Sequence, residues 1–285
     1  MFWNDISPLL RATALLALFV LVTTTLSLAG DPSALTWTQF RPTTALPPRA
    51  GFATAYDPVS QKVVIFGGSD ASGQQLNETW TFDGTTWAQV QTSVAPGARS
   101  AVAMAYDRKT HKLVLFGGFL GFAFLNDTWL WDGATSTWTQ ANPTTVPKGA
   151  TNPMLFTDPA NGRVDMFGGI SDNWIVQNTW TWDGKDWTQQ NPTTQPDVLY
   201  FTTGGFNPVL KEVVVFGGGS AGVDQSGTWA WTGTDWTQLT PAKSPARREQ
   251  FGTLWDPTSR QFLIFGGDVF NSNTVYGDTW RLTGQ

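Results

Sequence analysis

Few side chains in this sequence could carry out chemistry, and their scarcity narrows its function. Its 285 residues include no cysteine and a single histidine. Without a thiol there is no disulfide, no thiolate nucleophile, no cysteine-ligated zinc and no iron–sulfur cluster. Imidazole-rich copper or zinc sites need two or more histidines, and a Ser/His/Asp triad would have to be built on His111. That residue sits in the polar stretch Asp107-Arg-Lys-Thr-His-Lys112 and reads as a solvated turn histidine. No Asp or Asn spacing reproduces a calcium loop; Asp268 with Asn271 and Asn273 is only a weak match. No metal, cofactor or catalytic residue is therefore expected. What remains suits recognition: three arginines whose forked guanidinium groups suit carboxylates, Arg49, Arg99 and Arg248, and a set of large aromatic residues.

The elements that position these groups follow from composition and repetition. Only 14% of residues are charged, while there are 29 Gly, 16 Trp and 19 Phe, which favours packed sheet and tight turns over charged helix and excludes a coiled coil. With 41% apolar residues the chain can bury a sizeable core. A net charge of -5 with scattered signs leaves no footprint for nucleic acid.

Phe-Gly-Gly occurs five times, with Phe at 66, 116, 167, 216 and 265, each after an apolar run such as Val63-Val-Ile65. Thr-Trp keeps the same beat at Trp80, Trp129, Trp180, Trp229 and Trp280. Trp-x-Gln recurs at Trp87, Trp138, Trp187 and Trp236, and its fifth copy is at the start of the chain, at Trp37. Each unit reads as four short strands. The first ends at an Asp or Asn turn (Asp57, Asp107, Asp158, Asn207, Asp256), the second is the apolar run, the third alternates large residues at period two, and the fourth carries Trp-x-Gln. Asp83-Gly84, Asp132-Gly133 and Asp183-Gly184 supply tight-hairpin turns between the third and fourth.

Four-stranded units at a period near 50 residues indicate a β-propeller. The apolar run, double glycine and spaced aromatics resemble the kelch motif over residues 36–285, with Trp where that family commonly has Tyr in the third strand, and with five repeats where six or seven are usual. The expected fold is all-β, a five-bladed propeller of four-stranded antiparallel blades. The last unit lacks a fourth strand and the segment around Trp37 supplies a spare one, so the N-terminal strand is expected to close the ring.

In such a fold the repeated Trp residues and Gly pairs read as blade packing. Asn77-Glu-Thr79 and Asn126-Asp-Thr128 match the glycosylation pattern but coincide with third-strand entry, which favours a structural role. Function is expected where the repeats disagree, in the long loops between second and third strands. Phe119, Leu120, Phe122, Phe124 and Leu125, then Trp174, Ile175 and Val176, then Phe270 and Tyr276, have no counterparts in the other units. Exposed aromatic loops on one face suit an interaction surface, the alternative being that they fold inward over the blades. The expected ligand-binding residues are Phe122, Phe124, Trp174, Phe270 and Tyr276, with Arg49, Arg99 and Arg248. Those arginines fall seventeen residues before the repeated Phe, where units three and four have Ala150 and Leu199, and they either ring the channel mouth for a ligand carboxylate or are satisfied by blade carbonyls.

Residues 12–30 are uncharged and mostly apolar, and Ser27-Leu-Ala29 offers small residues for cleavage before Gly30. Residues 1–29 therefore read as a signal peptide or signal anchor, 30–35 as a linker and 36–285 as the propeller. A secreted or extracytoplasmic location follows, in the periplasm or at the cell surface, with membrane contact only through residues 12–30 if they are not cleaved. The leading expectation is a monomeric, non-catalytic scaffold that binds an extracellular protein or glycan. One alternative implied by the resemblance is a sugar-isomerising kelch enzyme, of the kind related to sialic-acid mutarotases, using Arg and carboxylate groups at the channel mouth with Glu249 or Asp197 as acid or base; another is a structural cell-surface protein. The copper chemistry of galactose oxidases, which share the resemblance, requires a Cys and more His than this chain has.

Overall fold

The computed structural model describes residues 41–172, 174–197, 201–220, 223–256, 261–270 and 272–282. Pro42–Gln285 form one compact unit. It is an all-β, five-bladed propeller built from four-stranded antiparallel sheets. The first four blades run in chain order through Ala53–Val90, Ala103–Gln140, Met154–Gln189 and Thr203–Leu239. The fifth shows three strands among the described residues: Gly252–Asp256, Gln261–Phe265 and Thr279–Leu282. The expected closing strand around Trp37, and the apolar stretch 12–30, lie outside the described residues.

Blades 1 to 4 start with the same hairpin, and its geometry explains the Asp or Asn nine residues before the repeated Phe. Asp57 accepts hydrogen bonds from the Val59 and Ser60 amides, Asp107 from that of Lys109, Asp158 from that of Ala160 and Asn207 from that of Val209. The chain then needs one left-handed residue to re-enter the sheet, and Gln61, His111, Gly162 and Lys211 supply it, with φ between 56° and 74°. His111 is thus an exposed turn residue, hydrogen-bonded only to the Tyr106 hydroxyl.

Adjacent blades are joined by backbone and by aromatic rings. The second glycine of three pairs donates across the seam, Gly68 to the Arg99 carbonyl, Gly118 to that of Ala150 and Gly218 to that of Arg248. A Cβ at Gly67 would lie 2.6 Å from the Arg99 oxygen, so the close approach requires glycine. Nearer the axis, Ala101 N–H donates to the Gly51 carbonyl and Asn152 N–H to that of Ala101, all three residues having positive φ.

Away from the axis, the fourth-strand Trp of blades 2, 3 and 4 crosses to the previous blade, whereas Trp87 of blade 1 stacks on Phe82 of its own blade. Trp138, Trp187 and Trp236 donate from Nε1 to the hydroxyls of Thr79, Thr128 and Thr179 at 2.8–3.0 Å. Their rings pack edge-on or tilted against Phe66, Phe116 and Phe167. Thr79, Thr128 and Thr179 are therefore buried acceptors, which gives Thr79 and Thr128 of the two glycosylation-like motifs a structural role. Four buried clusters result, one at each seam from blades 1/2 to 4/5. Phe265, the fifth repeated Phe, is 54% exposed, whereas its four counterparts are at most 1% exposed.

One core position breaks the pattern. The residue two before the repeated Phe is buried Val64, Val114 and Val214 in blades 1, 2 and 4, but Asp165 in blade 3. Its Oδ2 accepts from Trp231 Nε1 of blade 4 at 2.7 Å, while Oδ1 has no hydrogen-bond partner. Burial pushes the carboxyl up to about 7, against the opposing pull of the Thr181 hydroxyl. Trp131 and Trp182, which cluster with Val64 and Val114, leave their Nε1 atoms unpartnered.

Candidate functional site

The face carrying the long loops between second and third strands is built on these blades. In blade 2 the loop folds into a small hairpin, Phe119–Leu120 against Ala123–Phe124, turning through Gly121 at φ 62°. Phe119 and Phe124 pack edge to face beneath it, their centroids 5.5 Å apart. At the tip Phe122 is 99% exposed, beside the partly exposed Leu120. Blade 1 braces this hairpin through Gln75, whose amide donates to the Phe119 carbonyl at 2.5 Å and to the Ser100 hydroxyl, and accepts from Gly121 N–H at 3.0 Å. An aromatic ring is thus held in water on an anchored support. Gln75 is a positioning residue that the sequence reading did not single out.

The other aromatic candidates divide. Phe124 is half-buried and serves the hairpin's base, so it supports the tip more than it presents a surface. Phe270 is partly exposed, near the strongly exposed Val275 in the blade 5 loop. Tyr276 is half-buried with the Arg248 guanidinium 4.0 Å above its ring, which makes it a partner of that arginine. Trp174 pairs with Ser171 in a second small hairpin, and its side chain lies outside what the structure describes.

The arginines are committed within their own blades. Arg99 Nη1 donates to Asp127 Oδ1 at 2.5 Å and to the Gly117 carbonyl, Nη2 reaches Asp127 Oδ2 at 2.8 Å, and Nε reaches the Gly97 carbonyl. Arg248 repeats this with Asp278, Gly266 and Ala246, and Arg49 with Glu78, Gly67 and Pro47. Each acid also accepts from the Thr-Trp indole two residues later, at Trp80, Trp129 or Trp280. The Arg248 fork, with the Trp280 indole, holds Asp278 down at about 2. For Asp127 the upward pull of burial is overcome by Arg99, and Glu78 is lowered by its bonds from Trp80 and Arg49.

These guanidinium groups are 0–2% exposed, so the carboxylate they recognise belongs to the chain itself, in place of the ligand carboxylate expected at the channel mouth. The sequence carries a signal for this pairing: the residue two before each Thr-Trp indole is Glu78, Asp127 or Asp278 where an arginine is present, and Asn178 or Gly227 where Ala150 or Leu199 replaces it.

The acid or base candidates of the enzymatic alternative fall on different blades. Glu249 is buried and bridged to Asp268 in blade 5, whereas Asp197 is exposed beside a cavity in blade 4.

The repeat geometry has a counterpart among known proteins: residues 22–197 match the model of the KLHDC2/KLHL20/DRC7 Kelch-repeats domain. The chain belongs to the kelch-repeat family. The kelch propeller is also similar to the solved structure titled "Structure of YjhT", with a TM-score of 0.68 and 15% identity over 90% of this chain and 87% of that one. At that identity the likeness concerns the fold. No curated protein matches this kelch chain.

Proposed function

We propose that the protein is a non-catalytic, extracytoplasmic scaffold that binds a protein or glycan with its long-loop face. The observation that carries this reading is Phe122, fully exposed at the tip of a hairpin that Gln75 fastens to the neighbouring blade. A solvated phenylalanine contributes nothing to the core, and a braced one loses little freedom on docking, which is what a preorganised anchor requires. Leu120 extends the same apolar tip, and the partly exposed Phe270 and Val275 add apolar surface in the blade 5 loop. The apolar residues 12–30 support export as the route to the partner.

The test is a glycan array and a pull-down with the secreted form, followed by Phe122→Ala. Capture should weaken by about tenfold or more, as for a central anchor, while the melting temperature stays unchanged. Gln75→Ala should weaken capture less, by releasing the hairpin. Undiminished capture by Phe122→Ala would remove the hairpin from the binding surface.

A further inference from the structure

The Arg–acid–Trp arrangement of blades 1, 2 and 5 has a vacant counterpart in blade 4. The position of the acid is Gly227, so no side chain stands where Glu78, Asp127 and Asp278 receive their indole N–H groups. The indole is still there: a Cβ at Gly227 would lie 2.9 Å from Trp229 Nε1. Around these atoms lies a cavity of about 350 Å³, open to solvent, bounded by Gly217, Gly227, Trp229 and the polar side chains of Ser226, Gln238, Thr240 and Ser244. Gly217 stands where Gly67, Gly117 and Gly266 offer carbonyls to a guanidinium. Small-molecule sites typically begin at about 300 Å³.

We infer that this cavity is a binding site for a neutral, monosaccharide-sized carbohydrate. The polar groups select the class. A cation meets the indole donor with no carboxylate between them, whereas in the sister blades the acid occupies that place. An anion faces Asp197, the one charged side chain on the cavity wall among the described residues. A sugar hydroxyl both accepts and donates, so one can take the Trp229 N–H while others serve the Asp197 carboxylate and the Gln238 amide. The site shares no residue with the Phe122 hairpin and stands or falls separately from it.

The indole N–H signal of Trp229 in the full-length ¹⁵N-tryptophan-labelled protein, assigned by its loss in Trp229→Phe, reads the site directly. D-glucose, D-galactose and D-mannose are titrated singly, with methylguanidinium and acetate as charged probes. At least one sugar should shift the signal saturably. Gly227→Asp, which restores the acid of the sister blades, should abolish the shift; Gln238→Ala, which faces Trp229 across the strand pair, should weaken it and decides the matter if Gly227→Asp does not fold. Phe122→Ala should leave it unchanged. No shift with any sugar overturns the assignment, as does a shift undiminished in the tested variants, or a response to a charged probe alone.

Discussion

Arg99→Ala is expected to lower stability by about 3–5 kcal/mol, the range found when one partner of a buried ion pair is removed. The substitution takes both guanidinium bonds from Asp127 and empties the bonds to the Gly97 and Gly117 carbonyls. Truncating both partners should cost less than stranding one of them. Arg99→Leu combined with Asp127→Gly, the residues blade 4 carries at these positions, is therefore expected to be milder than Arg99→Ala alone. Chemical denaturation of the three proteins measures this. An Arg99→Ala protein that melts like the parent but loses its ligand would return the guanidinium to the binding surface.

The second large effect is a pH dependence centred on Asp165. Burial pushes its folded carboxyl up to about 7, against an ordinary aspartate value of 3.8. Below the lower value both states are protonated and the group is neutral to stability. Between the two, the unfolded chain has released a proton that the folded one retains, so stability falls as pH rises and the loss is complete above about 7. The span corresponds to roughly 4 kcal/mol at 1.36 kcal/mol per pH unit. Asp165→Asn keeps an acceptor for the Trp231 indole without the charge, so its unfolding free energy should lie nearly flat from pH 5 to 8 while the parent declines. Parallel curves for the two proteins would mean that Asp165 is ionised throughout. The carboxylates held low, such as Asp278, act in the opposite sense and only at acid pH, where protonation removes their bonds to arginine.

The blades were legible in the sequence because their markers are short-range. Phe-Gly-Gly, the Asp or Asn nine residues before it and the Thr-Trp after it each report a local strand or turn, and all five units repeat them; three units add a second Trp at period two. The packing role of Trp138, Trp187 and Trp236 followed from that repetition. The sequence left the arginines between a ligand and the blades because their acid partners are 28 to 30 residues away, and the pairing emerges only when the acid before each Thr-Trp is read together with them. Phe122 was found by having no counterpart, but its brace was not, since Gln75 acts on a different blade. Asp165 is the one charge among the five apolar runs, and its partner, the Trp231 indole, lies 66 residues away on the next blade, beyond the reach of a strand-by-strand pattern.

The indole-to-threonine bonds across the seams also govern the order in which the molecule assembles and comes apart. Each ties a blade to its predecessor across 57 to 59 residues, and no described bond of this type spans a longer interval. Among the described residues cohesion is thus nearest-neighbour, as in a linear repeat array, with the middle blades gripped on two sides. Amide exchange should be slowest in the runs Leu113–Phe116 and Val164–Phe167 and fastest in Gln261–Phe265, where Phe265 meets solvent. Opening of the molecule would then begin at the fifth blade and travel inward toward the second and third.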